Sequence, residues 1–180
     1  MTVHDARPGE RILEIGVGSG HTLAAVTRQV DPGGSLIGID LSLRMTQVTR
    51  RRLAGEARGI QLALIQADAC HLPLRAASFD AITMSFTLEL MATEDIPVVL
   101  QQCRRVLRDT GRIIVVSLAL GDTSNLMTRL YLAAHQRWPR MIDCRPIPLR
   151  DVLVSSGFTV EGTWAGTIGG LPVTAISARR

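Results

Sequence analysis

Ile12-Leu13-Glu14-Ile15-Gly16-Val17-Gly18-Ser19-Gly20 decides the reading of this chain. Ile12 to Ile15 has the apolar run of a short strand buried in a parallel sheet. Three glycines at every second position follow, and Thr22 to Val30 can propagate a helix. A strand that turns sharply into a helix presents free backbone N–H groups and a bare backbone against which a ligand can lie closely. The dinucleotide fingerprint G-x-G-x-x-G or -A needs a small sixth residue, and His21 stands there. The pattern is E-x-G-x-G-x-G instead.

Outward from that turn, the chain alternates strands and helices. Few residues precede the first strand, and Pro8-Gly9 reads as the turn into it. With no room there for covering helices, the expectation is a site that is open or closed by another part of the molecule. Asp31-Pro32-Gly33-Gly34 is a turn, after which Ser35 to Ile39 forms a second strand ending at Asp40. A carboxylate at the carboxyl end of the second strand is placed to accept both hydroxyls of a ribose. Nicotinamide enzymes share that feature, so it points to an adenosine-containing ligand without choosing among them.

Leu43 to Arg58 has helical spacing, with Leu43, Met45, Val48 and Leu53 as the expected apolar set and Arg50-Arg51-Arg52 as a solvated face. Ile60 to Gln66 is a third strand. It delivers Asp68 and Ala69 into the loop Ala67-Asp68-Ala69-Cys70-His71-Leu72-Pro73, where a carboxylate can accept from an exocyclic amine and a backbone N–H can serve a ring nitrogen. Ser78 to Ser85 is the fourth strand with its lead-in, and its end, Ser85-Phe86-Thr87-Leu88-Glu89-Leu90, lies where open α/β sheets place chemistry. Thr93 is the expected N-cap of the next helix, with Glu94 and Asp95 in its first turn and Arg104, Arg105 and Arg108 towards its end. Asp109-Thr110-Gly111 then turns into a fifth strand, Arg112 to Leu118. A helix from Leu149 closes at Ser156-Gly157, and Phe158 to Trp164 and Val173 to Ala178 are the last two strands.

Composition narrows the chemistry. At 180 residues the chain fits one domain with a sizeable core. All 20 basic residues are arginine, which removes lysine Schiff-base chemistry and the phosphate-binding lysine of the P-loop. Two tryptophans, one tyrosine and three phenylalanines give little stacking surface for single-stranded nucleic acid, so no nucleic-acid partner is read. Cys70, Cys103 and Cys144 are far apart and lack metal-ligand spacing, so they read as free thiols, and no metal site is expected. No membrane span or signal peptide is visible, so a soluble, cytoplasmic protein is the expectation.

Taken together, Glu14-x-Gly16-x-Gly18-x-Gly20, Asp40, Asp68-Ala69, Phe79-Asp80 and Arg105-Val106-Leu107-Arg108-Asp109-Thr110-Gly111 resemble the class I S-adenosylmethionine-dependent methyltransferases. Thr87-Leu88-Glu89-Leu90 and Asp143-Cys144-Arg145-Pro146-Ile147 are similar to the ubiquinone/menaquinone-biosynthesis-type (UbiE-like) group. The resemblance implies a Rossmann-like, doubly wound, seven-stranded mixed sheet, order 3-2-1-4-5-7-6, with one antiparallel strand and helices on both faces. It implies S-adenosyl-L-methionine as cofactor, held by Glu14, Gly16, Gly18, Gly20, Asp40, Leu41, Asp68, Ala69 and Ser85. Enzymes of this class that methylate adenine or amide nitrogens carry a Pro-Pro motif after the fourth strand, absent here. Magnesium-dependent catechol-type enzymes need an asparagine ligand, and the sole asparagine is Asn125.

What the resemblance implies as acceptor is a small molecule such as a quinol, phenol or lipid-like compound, with a homodimer as one arrangement. Residues 119–148 break the repeat and read as an insertion over the site. Their stripe of Leu126, Met127, Leu130, Tyr131, Ala134 and Trp138 suits a core-packed helix, a substrate lid or a membrane-surface contact. Glu89 and His135 are the candidate bases, with His21 and His71 behind them, and Tyr131 and Arg145 the candidate substrate contacts. The alternatives are a non-catalytic cofactor-binding partner subunit and a nicotinamide oxidoreductase.

Overall fold

The computed structural model describes residues 6–30, 33–55, 60–119 and 146–180. Seven strands form one sheet in the order β3-β2-β1-β4-β5-β7-β6. They are β1 (Arg11–Ile15), β2 (Ser35–Asp40), β3 (Gln61–Gln66), β4 (Phe79–Ser85), β5 (Leu107–Leu118), β6 (Thr159–Ile168) and β7 (Leu171–Arg179). β1 pairs in parallel with both β2 and β4, β2 with β3, and β4 with β5, whereas β7 runs antiparallel to β5 and β6. Both the strand order and the single reversed strand match the expected sheet.

The central strands are mostly apolar because both sheet faces are covered. Leu13, Ile15, Ile82, Met84, Ile113, Val115 and Ile176 point to one face. There they meet Ile96, Val99, Leu100 and Cys103 of α3 (Asp95–Val106) and Leu149 and Leu153 of α4 (Leu149–Ser155). Ile12, Leu36 and Ala81 point to the other face, against Leu23, Ala24 and Val26 of α1 (His21–Thr27) and Leu53 of α2 (Leu43–Leu53). Each fully buried Leu or Ile contributes roughly 1.5–3 kcal/mol relative to exposure, so these two layers hold the sheet.

Several elements depart from the sequence reading. On α2, Leu43 is exposed and the buried residues are Thr46, Thr49 and Leu53, and the helix turns Thr49 towards the glycine turn. β5 begins at Leu107, five residues before the expected start, since Leu107 pairs with Phe79 before a register shift between Phe79 and Ala81. α3 begins at Asp95 after a turn in which the Asp95 N–H donates to the Ala92 carbonyl, with Glu94 rather than Thr93 at the cap position and no side-chain cap. β6 and β7 form a longer hairpin than expected, closed by Gly169 and Gly170.

Candidate functional site

β1 leads to β2 on one side, while β4 lies on the other, so the carboxyl ends of β1 and β4 flank the point where strand order reverses. Ligands in open α/β sheets bind at that crevice. A cavity of about 630 Å³ opens there. Its wall includes Gly16 and Gly18 after β1, Asp40 and Leu41 at the end of β2, Asp68 and Ala69 after β3, and Ser85 to Thr87 at the end of β4. The sequence-predicted Gly16, Gly18, Asp40, Leu41, Asp68, Ala69 and Ser85 are therefore brought together on one surface.

Hydrogen bonds hold the glycine turn in place. The Gly16 and Val17 N–H groups both donate to the Ile39 carbonyl, at 2.8 and 3.1 Å. Asp40 Oδ2 accepts from the Gly18 N–H and Oδ1 from the Ser42 N–H, each at 2.9 Å. Thr49 Oγ1 donates to the Gly18 carbonyl at 2.9 Å, and Arg52 Nε to the Ser19 carbonyl at 2.6 Å. Gly16 has φ +76°, and a Cβ there would lie 2.4 Å from Thr87 Oγ1, so the approach of β4's end to the turn requires glycine. Gly18, with φ +49°, would meet nothing within 4 Å. Its backbone is open to whatever occupies the cavity.

The third-strand loop is fixed from two sides. Asp68 Oδ1 accepts from the Cys70 N–H at 2.9 Å, and Oδ2 lies 3.2 Å from His71 Nδ1. The Cys70 amide, then His71, hold the Asp68 carboxyl below the usual carboxylate range. From α3, Arg105 donates to the Leu72 and Leu74 carbonyls, both at 2.8 Å, which anchors the rest of that loop. Cys70 is half-buried at the wall, and burial followed by the Asp68 charge pushes its thiol upward, so it is a poor nucleophile.

Five predicted residues, Glu14, Gly20, His21, His71 and Glu89, lie away from the cavity wall. Gly20 caps α1 behind the turn. Glu14 is buried on β1, one residue before Gly16's neighbour Ile15, with Oε2 unpartnered, and burial raises its carboxyl well above the usual value. Glu89 is buried in a 3₁₀ turn (Leu88–Leu90), where its Oε1 accepts the Leu118 N–H at 3.1 Å and burial again raises the carboxyl. Tyr131, His135 and Arg145 lie outside the described residues. The sequence reading missed Met45, Phe86, Leu90, Met91, Asp95 and Val99 on the wall. For Leu90 the run after β4 was the available signal, but Met45 and Val99 looked like ordinary helix-core residues. Among the described residues there is no cluster of three or more His, Cys, Asp or Glu that could hold a metal, and no helix long and apolar enough to cross a membrane.

Residues 12–111 match the family model described as a methyltransferase domain. A demethylmenaquinone methyltransferase of Thermus thermophilus is 28% identical over 171 residues, covering 84% of this chain and 76% of that one. One from Symbiobacterium thermophilum is 36% identical over 108 residues, 60% of this chain and 42% of that protein. The ubiquinone/menaquinone biosynthesis C-methyltransferase UbiE of Pseudomonas putida is 32% identical over 125 residues, 69% and 48% respectively. The alignment thus spans less than half of the last two relatives. Among solved structures, a SAM-dependent methyltransferase of Methanosarcina mazei superposes with TM-score 0.78 at 16% identity, covering 97% of this chain and 93% of that one. One from Aquifex aeolicus gives 0.70 at 16% identity, with 96% and 82% covered.

Proposed function

The chain belongs to the methyltransferase-domain family, and from that premise we propose that it transfers a methyl group from S-adenosylmethionine to a small-molecule acceptor. One observation carries the reading. Asp40 and Asp68, at the ends of adjacent strands, and the bare backbone of Gly18 face one cavity. That set fits the cofactor: Asp40 would take the ribose hydroxyls, Asp68 and the Ala69 amide the adenine, and the glycine turn the amino-acid end. The cofactor supplies, when bound, an electrophilic methyl on a sulfonium that leaves as a neutral thioether, so no acid is needed to expel it.

The protein's task is then positioning, which brings reacting atoms into line and removes the entropy cost of encounter. The turn is held by the protein's own groups, Asp40, Thr49 and Arg52. Leu41, Met45, Leu90, Met91 and Val99 make much of the remaining wall apolar and would exclude water from a hydrophobic acceptor. Since curated relatives act in quinone biosynthesis by name, quinols and phenols are the acceptor class we propose. Glu89, its Oε1 bonded to the Leu118 N–H, would steady the turn that carries Leu90. His135 stands as the candidate base for an acceptor that must lose a proton, with Tyr131 and Arg145 as candidate acceptor contacts.

Calorimetry with S-adenosylhomocysteine tests the cofactor site. Wild type should bind in the micromolar range. Asp40→Asn keeps an oxygen for the Gly18 N–H but loses the charge, and should weaken binding by about tenfold or more. No heat from wild type at millimolar ligand overturns the reading. Transfer of labelled methyl to a panel of quinols and phenols tests the acceptor, and a panel left unlabelled while other acceptors react overturns that part alone.

A further inference from the structure

Phe86, directly after β4, has φ +52°. A bulky L-residue rarely enters the left-handed region, and holding one there costs free energy that the surroundings must offset. The surroundings are visible. The Phe86 N–H donates to the Val116 carbonyl of β5 at 2.8 Å. Thr87 follows, buried, and its Oγ1 reaches the Ile15 carbonyl at 3.2 Å and the Ser85 carbonyl at 3.1 Å. The backbone on both sides of Phe86 is therefore fastened to β1, β4 and β5. Glycine or asparagine would relieve the strain, yet the position carries an aromatic residue, half-buried and part of the cavity wall. It is the one aromatic side chain among the described residues of that wall.

Its place along the cavity gives the ring a task. Asp68 and Ala69 follow β3, and Asp40 ends β2. β1 and its glycine turn come next, and Phe86 lies beyond them, just after the end of β4. This step rests on the cofactor reading above: with adenine at β3 and ribose at β2, the sulfur end falls towards β1 and β4. An aromatic face carries negative charge density and attracts a cation that approaches within about 6 Å of the ring centre.

We propose that Phe86 is a sulfonium-binding residue, its strained backbone presenting the ring at the sulfur end of the site. There it favours the positively charged methyl donor over the uncharged thioether left after transfer. A site with that preference also releases its product more readily, a step that often limits turnover. Asp40, Asp68 and Asp95 on the same wall favour a cation too, so the ring's share must be isolated by substitution at position 86 alone.

The experiment compares affinities for S-adenosylmethionine and S-adenosylhomocysteine, without acceptor, alongside thermal melting. Phe86→Asn tolerates the left-handed backbone and removes the ring. It should melt at or above the wild-type temperature, lose about three- to tenfold in affinity for the sulfonium, and change by less than about twofold for the thioether. Phe86→Tyr should keep the wild-type ratio. The pair Phe86→Leu and Phe86→Tyr repeats the comparison with the apolar bulk retained, should the asparagine variant melt low. Equal loss for both ligands makes the ring a plain wall and overturns the proposal, as does no loss for either. Wild type that binds neither ligand overturns the cofactor reading itself, a result separable from both.

Discussion

Glu14 is the least comfortable residue of the core. Its side chain is 1% exposed, and its register partner on β4 is Thr83. Glu14 Oε2 and Thr83 Oγ1 are both buried without a hydrogen-bond partner. An unsatisfied buried polar group costs about 1–3 kcal/mol, and a charged one more, so the carboxyl takes up a proton instead. Its folded-state value is raised well above the ordinary 4.5 by burial. The folded protein therefore binds this proton more tightly than the unfolded chain does. Stability from this group is complete below the unfolded value and is lost as pH rises through the folded one. Glu14→Gln removes the titration while keeping the shape. Melting temperatures at pH 5 and pH 8 should show the glutamine variant gaining on wild type as pH rises, by a few degrees at pH 8. A gap that does not depend on pH would mean that Glu14 is not the group being neutralised.

At the scale of elements, α2 does more than cover the sheet. Thr49 is fully buried and donates to the Gly18 carbonyl, so one helix side chain supports the turn that the cavity is built on. Thr49→Val keeps the volume and leaves that carbonyl without its donor, at a cost of about 1–3 kcal/mol. For a chain of this size that is a drop of roughly 2–12 °C in melting temperature. Thr27 is also buried, but its hydroxyl donates to the Leu23 carbonyl four residues back in the same helix. That carbonyl already has a helical partner, so Thr27→Val should change melting far less. Equal effects of the two substitutions would remove the supporting role of Thr49. The same threonines explain why α2 was half legible: an apolar count places Leu43 inside and Thr49 outside, the reverse of the observed face. β1, β2 and β4 were legible because burial on both faces forces apolar runs, and Asp40 because a strand-end acid after a glycine turn has few other uses. The extended β6–β7 hairpin was not, since its mostly exposed Gly-Thr sequence needs no apolar pattern. Phe86 was not, because a phenylalanine does not announce a left-handed backbone.

The whole molecule divides its work between the two edges of the sheet. The amino edge is braced by charge. Arg112 of β5 pairs with Glu10 at 2.6 and 2.8 Å, and Asp80 accepts the Arg11 N–H at 2.9 Å while pairing with Arg108. The carboxyl edge carries the cavity, assembled from four separate strand ends, so a ligand there touches chain segments far apart in sequence. Binding to the folded state alone then stabilises the fold by about 2.7 kcal/mol at a hundred times the dissociation constant. With S-adenosylhomocysteine this predicts a melting rise of roughly 5–11 °C. Hydrogen exchange should show where that stabilisation is felt. Gly16 to Gly20, Asp40 to Ser42, Asp68 to Cys70 and Leu88 to Met91 should exchange more slowly with ligand. The tip of the β6–β7 hairpin, at Ile168 to Leu171, lies at the same edge beyond β5 but outside the cavity wall, and should exchange as before. Slowing centred on the hairpin, or spread evenly through the sheet, would place the ligand elsewhere and detach the cavity from the function proposed for it.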